Sequence, residues 1–218
     1  MRTVTKLMKN WQFTGPDGNT TTVDLPHTWN NIDGQDGGND YWRGSCTYRI
    51  HFAAPAFDPA AQQVWLQFEG VGDSAKISLN GTEVTAHDGG FSTFRADITA
   101  LLQADNELTV VADNSKNDTV YPQKADFTFY GGLYRGVNLI SVPNTHFDLD
   151  YFGGPGIKVT PKPAADGGAT FEIKSYVTNP DENFTVQYSI EDPYGFEVAS
   201  ATRPADNNAV TLYVPDAE

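Results

Sequence analysis

An aspartate that lies among aromatic residues is the most chemically suggestive feature of this sequence. Asp126 belongs to a stretch, residues 125–137, that also holds four aromatic side chains, a Gly-Gly pair and Arg135. Aromatic rings can cover the apolar C–H face of a sugar, and a carboxylate accepts hydrogen bonds from sugar hydroxyls. The stretch therefore indicates a sugar-contacting site. Residue chemistry alone leaves a structural alternative open, in which Asp126 caps a turn, the rings are core and Arg135 pairs with a carboxylate.

A second set of candidate ligand contacts lies in the loop of residues 27–44. The candidates are Asn30, Asn31, Asn39 and Asp40. The loop is polar and rich in glycine, and a loop of this length inside a compact domain is usually functional or disordered. Its tryptophan and tyrosine residues argue against disorder. For the asparagines, a role as turn formers is the structural alternative, because Asn favours turns for backbone reasons.

The sequence brings no catalytic group together by spacing. Its four histidines lie on different segments, and Ser/His/Asp or Cys/His groups are recognised by geometry rather than by order. Most glycosidases need two carboxylates, and no acidic pair here stands out. We therefore predict no catalytic residue within this chain. Phosphate-loop, dinucleotide and zinc patterns are also missing, which predicts no cofactor and no metal site.

Short alternating runs separated by turn signals predict an all-β fold. Asn80-Gly81 indicates a tight hairpin, Asp97 is expected to cap one helical turn over 97–102, and residues 1–9 are interpreted as a basic lead-in. Many short strands with turns between them are typical of a β-sandwich or jelly roll, which we predict for residues 1–147. The strands are predicted at 45–52, 64–69, 75–79, 82–86, 107–113 and 137–142.

A second strand series follows a glycine-rich linker. Residues 153–218 hold about five alternating runs and predict a small immunoglobulin-like sandwich. That fold usually needs seven strands and about 100 residues. We therefore expect the second domain to be truncated at its C-terminus and the chain to be a fragment of a longer protein.

Charge and composition exclude several classes of partner. The formal net charge is −14, which argues against nucleic acid and anionic membranes as partners. No stretch approaches the ~20 apolar residues of a membrane span. The start of the chain has no apolar signal region, so we expect a cytoplasmic protein. Cys46, the single cysteine, is expected to be a small core residue.

Taken in order and spacing, several segments resemble glycoside hydrolase family 2. Each segment is weak by itself, and together they cover essentially the whole chain. They are L-P-H-T-W-N at 25–30, residues 41–48, I-S-L-N-G at 77–81, H-D-G-G-F at 87–91, N-E-L-T-V at 106–110, D-N at 113–114 and G-L-Y-R-G-V at 132–137.

This resemblance implies a jelly-roll sugar-binding domain, an immunoglobulin-like domain and a TIM barrel outside the chain. The barrel would supply two glutamates for a retaining mechanism and would be this chain's partner in binding a β-linked carbohydrate. The resemblance also implies that Asp126 and, less securely, Asn30 contact the substrate. It leaves open a homo-oligomeric parent.

The substrate class stays open between two members of the family. The H-T-W-N and D-G-G-F segments look more like β-galactosidases, which we take as the leading hypothesis. The pattern D-F-x-x-Y-x-G at residues 126–132 resembles β-glucuronidases. Two further alternatives are a free-standing carbohydrate-binding module and a scaffold that contacts no ligand.

Overall fold

The computed structural model describes residues 1–31, 33, 40–121, 123, 128–180 and 182–215. The chain folds into two compact units, Met1–Pro143 (unit 1) and Asn144–Glu218 (unit 2). Apart from one 3-10 turn, Thr99–Leu101, the regular structure of the described residues consists of strands. The all-β prediction is confirmed. Within the described ranges, no helix has the length and apolar character needed to cross a membrane.

The described part of unit 1 forms two antiparallel sheets. The strands are β1 (Thr3–Lys6), β2 (Trp11–Thr14), β3 (Thr20–Val23), β4 (Ser45–Ala53), β5 (Gln62–Phe68), β6 (Ser74–Leu79), β7 (Thr82–Asp88), β8 (Phe94–Asp97), β9 (Asp105–Asp113) and β10 (Val137–Pro143). One sheet has the order β3-β2-β4-β9-β6-β7 and the other has the order β1-β10-β5-β8.

A single apolar core lies between these two sheets. Tyr48 on β4 and Leu108 on β9 come from the six-stranded sheet, and Leu66 on β5 comes from the four-stranded sheet; all three are completely buried. Alternate residues of each strand face this core because side chains alternate across a strand. Unit 1 is therefore a β-sandwich. Cys46 is buried in the core, as predicted.

Two local features of unit 1 differ from the sequence prediction. Residues 3–6, interpreted as a basic lead-in, form β1 and pair with β10 from Thr3↔Ser141 to Lys6↔Asn138. All four side chains of β1 are exposed, so the strand has no apolar alternation to reveal it. The expected helical turn is a 3-10 turn of three residues, and its Thr99 N–H donates to Asp97 Oδ1 at 2.9 Å.

Unit 2 is also built from short antiparallel pairings. Its strands form the sheets β11-β14, β12-β13-β17 and β15-β16. Ile173, Val186 and Leu212 belong to its small core, which lies between the second and third of these sheets. His146 and Phe147, which the sequence placed in the first domain, pair with β14 here. The strands are β11 (His146–Phe147), β12 (Ile157–Pro163), β13 (Ala169–Ser175), β14 (Val177–Thr178), β15 (Thr185–Glu191), β16 (Glu197–Pro204) and β17 (Ala209–Val214).

Candidate functional site

Four connections of unit 1 meet in one place, which we call the loop cluster. They are residues 27–44 between β3 and β4, 69–73 between β5 and β6, 89–92 between β7 and β8, and 114–136 between β9 and β10. The described parts of both stretches that the sequence selected for ligand contact belong to this cluster. Loops on a rigid sandwich are a common place for binding residues.

Backbone hydrogen bonds join these loops to one another. The N–H of His27 donates to the carbonyl of Leu133 at 2.8 Å, and Gly72 and Gly132 exchange two bonds of 3.0 and 3.2 Å. Arg135 donates from Nη1 to the carbonyls of Phe91 at 2.9 Å and Glu69 at 3.2 Å. Both of these hydrogen bonds go to backbone carbonyls, and they tie the fourth loop to the second and third.

Asn30 is the centre of a buried hydrogen-bond network. Its Nδ2 donates to Asp33 Oδ2 at 3.0 Å and to the carbonyl of Trp42 at 2.9 Å. Its Oδ1 accepts from Asn114 Nδ2 at 3.0 Å and from the N–H of Gly131 at 2.9 Å. An amide has two donor hydrogens and an acceptor oxygen with two lone pairs, so its side chain is satisfied by protein groups alone. Asn30 thereby joins the loop 27–44 to the loop 114–136.

The other candidate residues have different surroundings. Asn30 is completely buried, so a direct contact with sugar requires one of its four bonds to be given up; that contact stays a prediction. Asn31 is exposed. Asp40 is also exposed, with Oδ2 at 3.7 Å from Arg43 Nη1. Asn39 and Asp126 lie outside the described residues, so the proposed role of Asp126 stays a prediction too.

A buried carboxylate that the sequence analysis missed lies at the base of the loop cluster. Asp73 is 1% exposed, and it accepts hydrogen bonds from the hydroxyl of Tyr121 and from Nε2 of Gln123. Burial raises the pKa of Asp73, and these two hydrogen bonds oppose that rise. A signal existed in the sequence, because Asp73 continues the inward-facing register of Ala75, Ile77 and Leu79.

Aromatic rings line the same loops. Tyr121 is stacked between Phe91, at 4.6 Å between centroids, and Phe129, at 5.6 Å. Phe91 and Tyr130 remain 57% and 42% exposed, so ring surface is open to a ligand. Trp42 adds a further partly exposed ring. The cluster therefore combines apolar ring surface with polar groups, as sugar binding requires.

Among the described residues, three buried polar atoms of the loop 27–44 have no hydrogen-bond partner. They are Trp29 Nε1, Asp33 Oδ1 and the hydroxyl of Tyr41. Buried polar groups are normally hydrogen-bonded, so we expect each of these atoms to meet a partner outside the described side chains, such as a water molecule or a polar ligand.

Other carboxylates near the loops are engaged by the protein. Asp113 accepts from Ser115 N–H at 2.7 Å and from the hydroxyl of Ser45, and Asp88 accepts from Thr119 Oγ1 at 2.6 Å. The hydrogen bond from Thr119, together with those from Ser74 and Asn117, holds the pKa of Asp88 below its usual value. Among the described side chains, no group of three or more His, Cys, Asp or Glu could hold a metal ion.

Comparisons with known proteins agree with this architecture. Residues 34–140 match the family described as glycosyl hydrolase 2 galactose-binding domain-like. The crystal structure of an FMN-binding β-glucuronidase from Facaelibacterium prausnitzii L2-6 superposes with a TM-score of 0.91 and 58% identity, covering 100% of this chain and 34% of that chain.

Two curated relatives carry different activity names. A β-glucuronidase of Bacteroides fragilis is 35% identical over 158 residues, which are 69% of this chain and 22% of the relative. A β-galactosidase of Thermoanaerobacter pseudethanolicus is 29% identical over 147 residues, which are 65% of this chain and 20% of the relative. The chain therefore spans about a fifth of the length of these curated relatives. Since the family match, the relatives and the superposed fold agree, the chain belongs to glycoside hydrolase family 2, and it carries the galactose-binding-like domain of that family.

Proposed function

We propose that this chain is the substrate-wall and scaffold part of a retaining glycosidase that cleaves β-linked glucuronides. The observation that carries the proposal is its 58% identity, over the whole chain, to a β-glucuronidase. The D-F-x-x-Y-x-G pattern at residues 126–132 favours the same substrate. The H-T-W-N and D-G-G-F segments favoured β-galactosides over β-glucuronides, and this proposal reverses that order.

The physical role of the loop cluster would be to form one side of the sugar pocket. Exposed rings such as Phe91 and Tyr130 can cover the C–H faces of a sugar, while Asp126 accepts hydrogen bonds from its hydroxyls. The jelly-roll identity of unit 1 and the immunoglobulin-like identity of unit 2 belong to this proposal, as does a TIM barrel that supplies both catalytic glutamates. A cytoplasmic location is part of it as well.

The engaged carboxylates support a non-catalytic role for the described residues. Asp73, Asp88 and Asp113 each accept hydrogen bonds from protein donors. A general acid or nucleophile must instead reach the glycosidic bond. We therefore expect the isolated 218-residue chain to release no aglycone from an aryl β-glucuronide. Turnover that disappears when one of its own carboxylates is replaced would contradict the non-catalytic role.

β-Galactosides are the second candidate substrates. A putative β-galactosidase from Bacteroides fragilis superposes with a TM-score of 0.85 and 29% identity, covering 100% of this chain and 36% of that chain. The test compares kcat/KM of the longer protein that contains this chain on matched aryl β-glucuronide and aryl β-galactoside substrates. We expect the glucuronide to be preferred, and a preference for the galactoside would replace the first candidate with the second.

Replacement of Asp126 tests the substrate-wall role directly. Charge-assisted hydrogen bonds contribute about 1.5–3 kcal/mol each, so loss of two would cost about 3–6 kcal/mol. Because 1.36 kcal/mol is tenfold in rate, Asp126→Ala should lower kcat/KM of the longer protein by about 10²-fold or more. Asp118→Ala, an exposed carboxylate of the same loop, is the matched control and should have little effect.

The result separates the substrate wall from its alternatives. If Asp126 is only a turn cap, its replacement costs about 0.5–2 kcal/mol of stability and leaves kcat/KM nearly unchanged. Calorimetric titration of the isolated chain with glucuronic acid and galactose addresses the free-standing module. Binding at millimolar concentration or below would favour that module, whereas the absence of heat is expected for half of a pocket.

A further inference from the structure

Asp73 is fixed to the rigid part of unit 1 by its own backbone. Its N–H donates to the carbonyl of Asp113 at 2.8 Å, and its carbonyl accepts from the N–H of Gly89 at 3.0 Å. The preceding residue, Gly72, exchanges two backbone bonds with Gly132. The position of the Asp73 side chain is therefore set by the ends of β6, β7 and β9.

The carboxylate of Asp73 in turn holds the start of the loop that contains Asp126. It accepts from the Tyr121 hydroxyl and from Gln123 Nε2, while the Tyr121 ring is confined between Phe91 and Phe129.

The residue type at position 73 fits this task. A carboxylate can accept from two different donors, whereas an asparagine offers one acceptor oxygen and one NH₂ group. Burial of a charge is costly unless it is paired and hydrogen-bonded, and an apolar residue would suit this register of β6 better for packing alone. A buried aspartate is therefore explained by what it holds, namely Tyr121 and Gln123.

We infer that Asp73 is a positioning residue for the sugar-contacting surface of the loop cluster. It holds Tyr121 and Gln123 in place, and the exposed ring of Phe91 is stacked on Tyr121. This inference rests on the proposed function for the role of Phe91, whose ring would cover a face of the sugar. Asp73 itself touches no substrate in this view and acts through Tyr121 and Gln123. A misplacement of about 1 Å in a reacting site can cost about 10²-fold in rate, which sets the scale of the expected effect.

The test uses three substitutions in the longer protein that contains this chain. Asp73→Asn removes the charge and one acceptor, Tyr121→Phe removes the hydroxyl but keeps the stacked ring, and Gln123→Leu removes the amide at similar size. We expect kcat/KM, measured per folded molecule well below the melting temperature, to fall at least tenfold for Asp73→Asn and about threefold to tenfold for the other two. Asp88→Asn is the matched control, because Asp88 holds Thr119 of the same loop at the surface, and it should change kcat/KM less than twofold.

A double substitution distinguishes positioning from general stability. Asp73→Asn combined with Tyr121→Phe should lower kcat/KM by less than the product of the two single effects, since both weaken the same link. If the three variants lower the melting temperature but leave kcat/KM of the folded protein unchanged, Asp73 is only structural and the inference is wrong. The inference is equally wrong if Asp88→Asn has as large an effect on kcat/KM as Asp73→Asn.

Hydrogen–deuterium exchange on the 218-residue chain keeps this inference separate from the proposed function. We expect Asp73→Asn and Tyr121→Phe to accelerate exchange in peptides covering residues 121–131, with peptides from β4 and β9 unchanged. If exchange is faster in this segment but the longer protein cleaves neither glycoside, the proposed function is refuted and the anchoring by Asp73 is retained. Unchanged exchange in this segment would overturn the inference even if the glycosidase activity is found.

Discussion

Replacement of Asn30 by alanine should destabilise unit 1 far more than replacement of its neighbour Asn31. Asn30→Ala removes four side-chain hydrogen bonds. The two that Asn30 accepts, from Asn114 and Gly131, are buried, and the two that it donates are partly buried. Asn31 is exposed, and substitutions at such positions usually stay within about 0.5 kcal/mol.

The expected cost follows from what each former partner loses. The buried N–H of Gly131 is left without Asn30 Oδ1, and an unsatisfied buried group costs about 1–3 kcal/mol. Asn114 Nδ2 keeps two longer contacts, to the carbonyls of Phe129 at 3.4 Å and Trp42 at 3.5 Å. The partners of the two donated bonds keep other donors, because Asp33 Oδ2 accepts from the N–H of Trp42 at 2.8 Å and the carbonyl of Trp42 accepts from Asn114 Nδ2 at 3.5 Å. We therefore expect a total of about 2–4 kcal/mol, which combines one lost buried bond with partial losses elsewhere.

Tryptophan fluorescence can report this loss for unit 1 alone. All four tryptophans of the chain, at positions 11, 29, 42 and 65, lie in Met1–Pro143. Urea unfolding followed at the tryptophan emission should show the full difference between Asn30→Ala and Asn31→Ala. In thermal unfolding the same difference corresponds to about 4–16 °C, since 1 kcal/mol shifts the melting temperature of a domain of this size by about 2–4 °C.

An isosteric variant separates hydrogen bonding from packing. Asn30→Asp preserves the shape and the two acceptor positions but places a carboxylate against Asp33 and against the carbonyl of Trp42. It should destabilise unit 1 at neutral pH and recover part of the loss in acid, where the carboxylates are protonated. The hydrogen-bond reasoning is refuted if Asn30→Ala and Asn30→Asp both remain within about 0.5 kcal/mol of the wild type.

Two further substitutions test the loop cluster. In Gly131→Ala the new Cβ would overlap the Trp29 ring; we expect a loss of about 1–3 kcal/mol and a shifted tryptophan emission, whereas Gly15→Ala, whose Cβ would lie 3.2 Å from the nearest atom, should be milder. Burial lowers the pKa of His27 below its ordinary value of 6.5. Between the two pKa values the unfolded state binds more protons than the folded state, so stability should fall as the pH drops through about 6.5. His27→Gln should lose less stability than the wild type between about pH 7.5 and 5.5 in urea unfolding; an identical loss would exclude His27 as a source of this dependence, leaving His87, whose pKa burial also lowers.

Strand alternation made most of the sandwich predictable from sequence. β4 and β9 carry apolar residues at every second position, and these positions are buried. β1 escaped prediction because the sheet uses only its backbone, so its four side chains carry no pattern. The prediction thus succeeded where burial on one face constrains the residue types, and it failed where only main-chain pairing does.

The adjacent asparagines show why the site was harder to predict than the fold. Asn30 and Asn31 have the same chemistry and nearly the same position, yet one is completely buried and the other is exposed. The difference is decided by Asn114 and Gly131, which lie 84 and 101 residues further along the chain. No local pattern contains that information. Asp73, in contrast, was within reach of sequence reasoning, because the inward register of β6 extends to it.

The two anchors of the loop cluster differ in residue type because their partners differ. Asn30 meets two acceptors, at Asp33 and Trp42, and two donors, at Asn114 and Gly131. An amide suits this place because it has two N–H donors and an oxygen with two lone pairs. An aspartate in that place would put two carboxylates against each other, and it would repel Asp33. Asp73 meets donors from Tyr121 and Gln123, so an acceptor with two oxygens suits it and an amide would place an N–H against one of them. Exchange of the two residue types should therefore damage both anchors, although each substitution changes only one heavy atom.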